Sequence, residues 1–452
     1  KEKESEWRMA DPRDEALNLL KYFYLFDSDL EVKEGKEHEK LLFYWPHETK
    51  IQEQTKLIGF SEALVNFTRQ FSPERPCEFV RFQKQKCAYF NPEEGVWMVV
   101  GVHVREKETE TSDGVLDNLL RRCYGQFKIF YGKMRMRIES HGRPNLIRSL
   151  ALFIPQFLSN LTFNKTPFFD TMDGLQFFPV DRNIYLLIQC FVNLIESTFP
   201  DIRETVVLYD NYLVWSGLNQ HDIIPLYQYL CLSLEKGKDL VGLQSSLKPT
   251  VDDLVYTNLL REIRTQNGLV SLRKVRTEDS VAPVCQIYTG NNVENSVAVY
   301  AKKKILCLFF MQPCAEIEFH SFDAFVASRF DKQLSGHLTD RFNQAKDPLE
   351  GKMEYLCLYY NHMNQAMKSM SSSPQAPIFP ADASHIVMQI HEDFERNPEE
   401  IREVMMKMKD GRWIIGRKSE EREFYSLLSP KEDISNIIDI QDFVQKLNVG
   451  YL

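Results

Sequence analysis

The sequence predicts an α/β (α+β) protein of three consecutive units, each a mainly antiparallel sheet flanked by helices. In the segment Val206–Leu218, two apolar runs flank Asp210 and Asn211, which tolerate the backbone of a two-residue hairpin turn. A helical pattern follows directly at Asp222–Leu234, and the same order of strands and helix recurs on both sides. A length of 452 residues also suits about three domains of ordinary size.

The first unit is predicted to hold five strands and three helices. Its strands are Leu19–Phe26, Lys40–Trp45, Glu78–Phe82, Cys87–Phe90 and Val96–Val104, and its helices are Ile51–Phe71, Val115–Tyr131 and Asn145–Leu161. In the first of these helices an apolar stripe recurs at steps of three and four, at Leu57, Phe60, Leu64, Phe67 and Phe71. We take this stripe as the buried face. The opposite side is then predicted to meet a partner, and it carries Ile58, Ser61, Glu62, Val65 and Arg69. Core support is the alternative for Ile58 and Val65.

The second and third units repeat this plan. The second has a strand at Leu175–Pro179, a helix at Arg182–Ser197, the hairpin with its helix, strands at Leu269–Val275, Val284–Thr289, Ser296–Tyr300 and Ile305–Met311, and a helix from Phe322 to about Phe342. The third has strands within Glu354–Met370, a helix at His385–Glu395, strands at Met405–Lys409, Arg412–Ile415 and Phe424–Leu428, and a last helix at Ile440–Leu447. Between them, Glu235–Asn267 is polar with one helical candidate at Asp252–Arg264, and Ser371–Pro380 reads as a loop. We place the domains at 15–164, 165–350 and 351–452.

Composition is typical of a soluble globular protein. Hydrophobic residues make up 43% of the chain and charged residues 26%, and 31 Phe with 19 Tyr suit sheet-rich interiors. A net charge of -9 argues against a general nucleic-acid-binding protein, whose binding face is strongly basic. We therefore expect no nucleic-acid partner.

The cysteines and apolar runs indicate a cytoplasmic protein. The nine cysteines form no Cys-x-x-Cys pair, and several lie in apolar runs, as at Cys190, Cys231 and Cys307. Buried thiols in a reducing compartment explain this pattern better than disulfides do. The chain opens on a charged stretch instead of a signal peptide, and its longest apolar runs are shorter than the roughly 20 residues of a membrane-spanning helix.

One stretch, Gly411–Ser419, resembles a phosphate-binding loop. That loop requires Lys directly after its second glycine, but here Arg417 separates Gly416 from Lys418. The surrounding pattern also predicts strand, turn and strand, whereas such a loop joins a strand to a helix. We therefore expect no nucleotide cofactor at this position.

Metal ligands and activated nucleophiles lack their usual spacing. His385 and His391 are six residues apart and do not share a helical face, no His-Glu-x-x-His is present, and His320, His337 and His362 stand alone. There is no Gly-x-Ser-x-Gly and no cysteine signature. The sequence thus predicts neither a metal site nor catalytic residues.

Two further surfaces are candidates for binding. A hairpin tip beside the first sheet carries Phe90, Asn91, Pro92, Glu93 and Trp97. Exposed aromatic residues favour a protein interface here, while core support is the alternative for the two aromatic rings. Basic side chains that could face an anionic membrane are Lys133, Arg135, Arg137, Lys302, Lys303 and Lys304. Each contributes about 1 kcal/mol near such a surface, but an ordinary solvated face also explains these clusters.

Several long, aromatic-rich runs resemble the Ccz-one family of vacuolar fusion proteins. They are LFYWPHE from Leu42, IGFSEALVNFTRQFSP from Ile58, YFNPEEGVWMVV from Tyr89, LYDNYLVWSGLNQHD from Leu208, YYNHMNQAMKS from Tyr359 and WIIGRKSEEREFY from Trp413. The similarity extends from about Glu15 to near the end of the chain. Residues Glu235–Asn267 and Ser371–Pro380 match least.

This resemblance implies three tandem longin domains and an obligate heterodimer with the Mon-one longin protein. It further implies exchange activity on the late-endosomal GTPase Rab-seven, peripheral recruitment to endosomal and lysosomal membranes and, in animals, a third subunit with a propeller. The first longin domain is then expected to pair with its counterpart and hold the GTPase. No exchange residue is carried over, because the family has no short catalytic signature.

Two other functions stay open. A longin-type trafficking adaptor or tether would bind a GTPase or SNARE without exchange activity, and longin folds host both functions. An enzyme that uses the near-match at Gly411 is the other alternative. A nucleotide-release assay separates the first two possibilities, and nucleotide binding by the chain itself would revive the third.

Overall fold

A computed structural model describes residues 19–428, except 34, 73–76, 105–111, 160–173, 179, 211, 236–267, 271–285, 303, 314–318, 331–333, 335, 347–355, 370–378 and 398. The described residues form two compact units, 19–159 and 174–428. The predicted helices Asp252–Arg264 and Ile440–Leu447 lie outside the described residues.

The first unit contains one antiparallel sheet in the order β2-β1-β5-β4-β3. Its strands are β1 (Leu20–Asp27), β2 (Leu41–Trp45), β3 (Phe79–Arg81), β4 (Gln85–Glu93) and β5 (Val96–His103). Its helices are α1 (Ile51–Phe71), α2 (Asp113–Tyr131), α3 (Met134–His141) and α4 (Arg143–Ser159). Every predicted element of this unit is confirmed within a few residues. Sequence patterns missed a one-turn 3-10 helix at Glu37–Lys40 and α3, which has eight residues and buries Met134 alone.

The central strands β1 and β5 are apolar almost throughout because helices cover both faces of the sheet. On the face towards α1, Tyr22, Tyr24 and Phe26 form one cluster with Trp97. Gly101 of β5 faces the Tyr22 ring so closely that a Cβ would lie 2.3 Å from it. The sheet therefore accommodates a large ring at a position where its neighbour has no side chain.

The second sheet has the strand order β10-β11-β12-β7-β8, and β9 also pairs with β11. Its strands are β7 (Ile202–Tyr209), β8 (Tyr212–Ser216), β9 (Gly268–Val270), β10 (Gln286–Thr289), β11 (Val293–Lys302) and β12 (Ile305–Met311). Its helices are α5 (Arg182–Thr198), α6 (Gln220–Glu235), α7 (Phe319–Phe330) and α8 (Gly336–Lys346). The predicted hairpin is confirmed, with Asp210 at a φ of 46° in its turn. The predicted helix from Phe322 to about Phe342 is described as two helical segments, and residues 331–333 and 335 between them lie outside the described residues.

The third sheet has the order β15-β16-β17-β13-β14-β6. Its strands are β6 (Leu175–Gln176), β13 (Leu356–Asn361), β14 (Ala366–Ser369), β15 (Glu403–Lys407), β16 (Trp413–Ser419) and β17 (Arg422–Leu428), and α9 (Ala381–Arg396) packs on it. The strand β6 runs parallel to β14, and the next residue, Phe177, forms a parallel bridge with Leu213 of β8. One short segment thus pairs with a strand of each sheet in this unit.

The described cysteines are all free thiols. Burial is confirmed for Cys307, and Cys87, Cys123 and Cys357 are also buried. The expectation of a buried Cys190 is wrong, because this residue lies on the outer side of α5. Burial raises the pKa of Cys123 and Cys307, so these thiols stay protonated at neutral pH.

Candidate protein-binding surface

Helix α1 packs on the first sheet through three fully buried residues, with the partly buried Leu57 and Leu64 beside them. Ile58, Ser61 and Val65 are buried, and the Ser61 hydroxyl lies 2.6 Å from the Tyr24 hydroxyl of β1. The prediction that these three residues face a partner is therefore wrong. Spacing shows which sides of a helix are apolar but not which side packs. Here a small Ser61 fits against the sheet and also satisfies a buried phenol.

Of the stripe that we expected to be buried, Leu57 and Leu64 pack partly buried against the core, but the three phenylalanines face outward. Phe60, Phe67 and Phe71 are 46%, 59% and 75% exposed, and we call these three residues the phenylalanine surface. The Phe67 and Phe71 rings lie 5.0 Å apart, and Ile51 is also exposed at the start of the helix. Single exposed apolar residues are normal, but a row of large rings on one helix face is typical of an interaction site.

Two polar side chains from the same prediction lie on the other side of α1. Glu62 is partly buried and accepts a hydrogen bond of 2.5 Å from the Lys40 ammonium group, which ties the turn before β2 to α1. Arg69 is exposed, with its guanidinium 6.0 Å from the centre of the Trp97 ring. Arg69 is thus accessible on the side of α1 opposite the phenylalanine surface, whereas Glu62 already has an internal partner.

The hairpin tip between β4 and β5 supports other elements. Trp97 is buried, so the prediction that it contacts a partner is wrong. Glu93 accepts hydrogen bonds of 2.7 and 2.8 Å from the backbone N–H groups of Met134 and Arg135, and its carboxylate thereby satisfies the N-terminus of α3. The Tyr124 hydroxyl donates to the same carboxylate at 2.8 Å.

The remaining tip residues are mostly engaged as well. Phe90 is half-buried, and the Arg121 guanidinium lies 4.9 Å from its ring centre. The side-chain amide of Asn91 donates to the backbone carbonyls of Glu93 and Val96 across the turn. Pro92 is partly exposed. We therefore assign this tip a mainly structural role.

Arginines that were predicted to face a membrane make internal contacts. Arg135 donates to both carboxylate oxygens of Asp27, at 2.9 and 3.1 Å, and to Asp29 at 2.9 Å. Asp27 is buried and also accepts from Arg143 at 3.0 Å. Arg137 donates to the Ser149 hydroxyl and the Tyr131 carbonyl. Arg135 is thus paired with a buried carboxylate and Arg137 is bonded to a hydroxyl and a carbonyl, so the prediction of a free basic face is wrong for both.

The lysines of that prediction have different settings. Lys133 is partly buried just before α3. Lys304 is half exposed and lies 2.7 Å from the Asp210 carboxylate. Lys302 ends β11, but its side chain and the whole of Lys303 lie outside the described residues.

The tyrosines behind α1 are hydrogen-bonding groups, not reactive ones. Burial raises the pKa of Tyr24 and Tyr89, whose hydroxyls both contact Ser61. Burial also raises the pKa of Cys87, which lies 2.9 Å from the Tyr22 hydroxyl. These groups stay protonated at neutral pH, so this cluster holds the helix in place without offering a nucleophile.

Comparison with known proteins shows that the phenylalanine surface lies in a stretch matched by a longin-domain family. Residues 20–132 match the family described as the first longin domain of INTU, CCZ1 and HPS4, and residues 351–447 match INTU longin-like domain 3. A vacuolar fusion protein CCZ1 homolog from Nematostella vectensis is 32% identical over 450 residues, which are 94% of this chain and 95% of the relative. The chain belongs to the CCZ1 family. Both the resemblance to this family, written Ccz-one above, and the predicted longin fold class are thereby confirmed.

Other CCZ1 homologs agree over the same length. The relative from Danio rerio is 30% identical over 94% of this chain and 93% of its own. The one from Dictyostelium discoideum is 29% identical over 96% of both chains. In this CCZ1-family chain α1 lies inside the first longin match, so the exposed phenylalanines belong to the first longin domain.

The near-match to a phosphate-binding loop folds as its flanking pattern predicted. Gly411 has a φ of 91° in the turn before β16, and the following residues form a strand and not a helix. The Lys418 ammonium group donates to the Phe394 carbonyl at 3.2 Å. Lys418 lies near the end of a strand and donates to a helix carbonyl, whereas a phosphate-binding lysine begins a helix.

A cluster of titratable groups lies in the third sheet of this CCZ1-family chain. Glu423 of β17 is fully buried and joins two histidines, with Oε1 2.7 Å from His362 Nε2 and Oε2 2.6 Å from His391 Nδ1. The prediction that His362 stands alone is therefore wrong. Although burial opposes it, hydrogen bonding to the histidines and to Tyr425 holds the pKa of Glu423 well below its usual range. Burial lowers the pKa of His391, but its contacts with Glu423 outweigh this and raise it.

Among the described residues, every helix is too short or too polar to cross a bilayer.

The binding-site residues predicted from sequence separate into two groups. Arg69 and Asn91 are exposed, while most of the others support the fold. The row of exposed rings on α1 is the accessible feature that the sequence patterns assigned to the wrong face.

Proposed function

We propose that this chain is one subunit of a guanine-nucleotide exchange factor for the GTPase Rab-seven and acts in endosomal and vacuolar fusion. The names of its relatives, vacuolar fusion protein CCZ1 homologs, support the trafficking role. The proposed assembly is an obligate heterodimer with the Mon-one longin protein, joined in animals by a propeller-containing subunit. It works in the cytoplasm and on endosomal and lysosomal membranes. We propose longin domains at 15–164, 165–350 and 351–452.

The phenylalanine surface carries this proposal. Phe60, Phe67 and Phe71 are large, apolar and exposed on a helix whose other side is locked to its own sheet. Permanent interfaces are more hydrophobic than transient ones, and a GTPase must be released after each cycle. We therefore assign this surface to the permanent contact with Mon-one. The GTPase would then bind the paired first longin domains.

Exchange requires no covalent chemistry from this chain. A factor that binds the nucleotide-free GTPase more tightly than the loaded form weakens nucleotide binding by the same ratio. A thousandfold faster release corresponds to about 4 kcal/mol. Protein contacts that move a switch segment away from the nucleotide phosphates supply energies of this size. The buried tyrosines and Cys87 behind α1 stay protonated and hold the fold, which agrees with a function that needs no nucleophile there.

The test uses the co-expressed heterodimer and Rab-seven loaded with a fluorescent nucleotide. The double variant Phe67→Asp/Phe71→Asp places two charges in the proposed interface, and we expect recovery of Mon-one to fall about 30-fold or more, as for an interface hot spot. Met136→Asp is the matched control, since Met136 is exposed on α3 of the same unit. It should leave pairing and exchange unchanged.

Two results would count against the proposal in different ways. If the wild-type heterodimer does not accelerate nucleotide release from Rab-seven, the exchange function is wrong and an adaptor or tether becomes the better explanation. If the double variant pairs and exchanges like the wild type, the assignment of the phenylalanine surface is wrong. Circular dichroism of the double variant separates lost binding from lost folding.

A further inference from the structure

Three potential metal ligands meet in the third longin domain although they lie far apart in the chain. His362 follows β13, His391 lies on α9 and Glu423 on β17. Their ligand atoms all lie within 4.8 Å of one another. The pairing of β13 with β17 and the packing of α9 on this sheet bring them together. The cluster is in the second compact unit and does not involve the phenylalanine surface.

We propose that His362, His391 and Glu423 form a zinc-binding site. Two imidazole nitrogens and one carboxylate are a ligand set that zinc favours in proteins. Zinc bonds of about 2.0–2.2 Å in a tetrahedral site leave neighbouring ligand atoms about 3.3–3.6 Å apart. The Glu423 oxygens are already 2.7 Å from His362 Nε2 and 2.6 Å from His391 Nδ1. Small side-chain shifts would therefore suffice to place one ion among the three groups.

The groups around the cluster are arranged like an outer shell of ligand partners. The Tyr425 hydroxyl donates to Glu423 Oε2 at 2.6 Å and orients the carboxylate. On the far side of the His391 ring, Nε2 lies 3.6 Å from the exposed carboxylate of Glu395. This distance is too long for a hydrogen bond, so Glu395 can attract the imidazole without fixing its tautomer. His391 Nδ1 lies against the Glu423 carboxylate and is therefore the ring nitrogen placed to act as a ligand.

The Lys418 ammonium group would compete with zinc for the Glu423 carboxylate. This ammonium group lies 3.5 Å from Glu423 Oε1 and supplies a positive charge beside this buried carboxylate. A zinc ion would take over that role, and the two cations would repel each other. The Lys418 side chain is 13% exposed, so it has a route towards solvent. Removing its charge should therefore strengthen zinc binding, which a simple hydrogen-bond network does not predict.

The site opens to solvent on one side. The His362 side chain is 21% exposed, whereas His391 and Glu423 are buried. A water molecule could complete a four-coordinate ion on the His362 side. Because the three ligands come from different elements, bound zinc would link α9 to two strands and stabilise the folded third domain.

The experiment is a zinc titration of the full chain, freed of metal, in competition with a chromophoric chelator. We expect one zinc ion per chain, with affinity reduced at least 100-fold by His391→Gln and His362→Gln. His385→Gln is the matched control, since His385 is exposed on the same helix α9 and should leave affinity unchanged. Lys418→Met should raise the affinity. Zinc-edge X-ray absorption should show two imidazole ligands.

Absence of stoichiometric binding in both the wild type and Lys418→Met would overturn the proposal. It would identify the cluster as a closed hydrogen-bond network. Binding that persists in His391→Gln would do the same, by showing adventitious zinc elsewhere. If His391→Gln fails to fold, the partly exposed His362→Gln provides the same test with less disturbance of the core. None of these outcomes depends on exchange activity.

Discussion

The orientation of α1 can be tested by comparing two truncations on opposite sides of the helix. Ile58→Ala removes three buried carbon atoms, and Phe67→Ala removes a whole ring that is 59% exposed. Ile58 packs with Tyr24, Tyr89 and Trp97 in one cluster, and the small residue would leave a cavity there. Losses of about 2–4 kcal/mol are usual for such a change, whereas surface substitutions stay within about 0.5 kcal/mol. The smaller truncation should thus be the more damaging one.

Hydrogen exchange of the backbone amides along Ile51–Phe71 in the full chain measures how much each truncation destabilises α1. Since about 1.4 kcal/mol corresponds to a tenfold change in an equilibrium, Ile58→Ala should accelerate exchange of the α1 amides about 30- to 700-fold. Phe67→Ala should change it less than about threefold. Equal acceleration by the two variants, or protection that survives Ile58→Ala, would refute the assigned orientation. The measurement is made without Mon-one, because a partner on Phe67 would add protection of its own.

Three further outcomes follow from the packing. Asp27→Asn leaves two guanidinium groups facing a neutral amide, and thermal unfolding should show a loss of about 1–3 kcal/mol. Gly101→Ala brings a methyl group against the Tyr22 ring and should cost about 1–3 kcal/mol, whereas an unchanged melting temperature would mean that the ring moves freely. Labelling of the native chain with a thiol reagent should modify Cys190 within minutes and spare Cys123, which reacts only after unfolding.

Local patterns predicted the elements well but not the faces that they bury. Helix α1 begins and ends at the predicted residues, since its apolar positions recur with helical spacing over 21 residues. Its orientation depends on which side fits the sheet, and a serine on the packing side does not count as apolar in any pattern. Sequence reasoning therefore chose the side with more phenylalanine. Only the position of Tyr24 on β1 reveals why Ser61 is buried.

Features made by residues far apart in the chain were harder to predict. Helix α3 is short, and its N-terminus is satisfied by Glu93, 41 and 42 residues earlier. His362 and Glu423 are separated by 61 residues and meet because β13 and β17 are paired. Each histidine has an unremarkable sequence context. A search for spaced motifs cannot find such a cluster without the sheet order.

The segment at Leu175–Phe177 limits how this protein can be divided. Cutting the chain at residue 351 to isolate the third domain would remove β6 and leave the edge of β14 unpaired. An uncovered strand edge is a template for pairing with other chains, so such a fragment should aggregate. A fragment that also carries residues 174–178, fused ahead of 351, restores the missing neighbour. The smallest self-sufficient piece that contains the third sheet is therefore discontinuous in sequence.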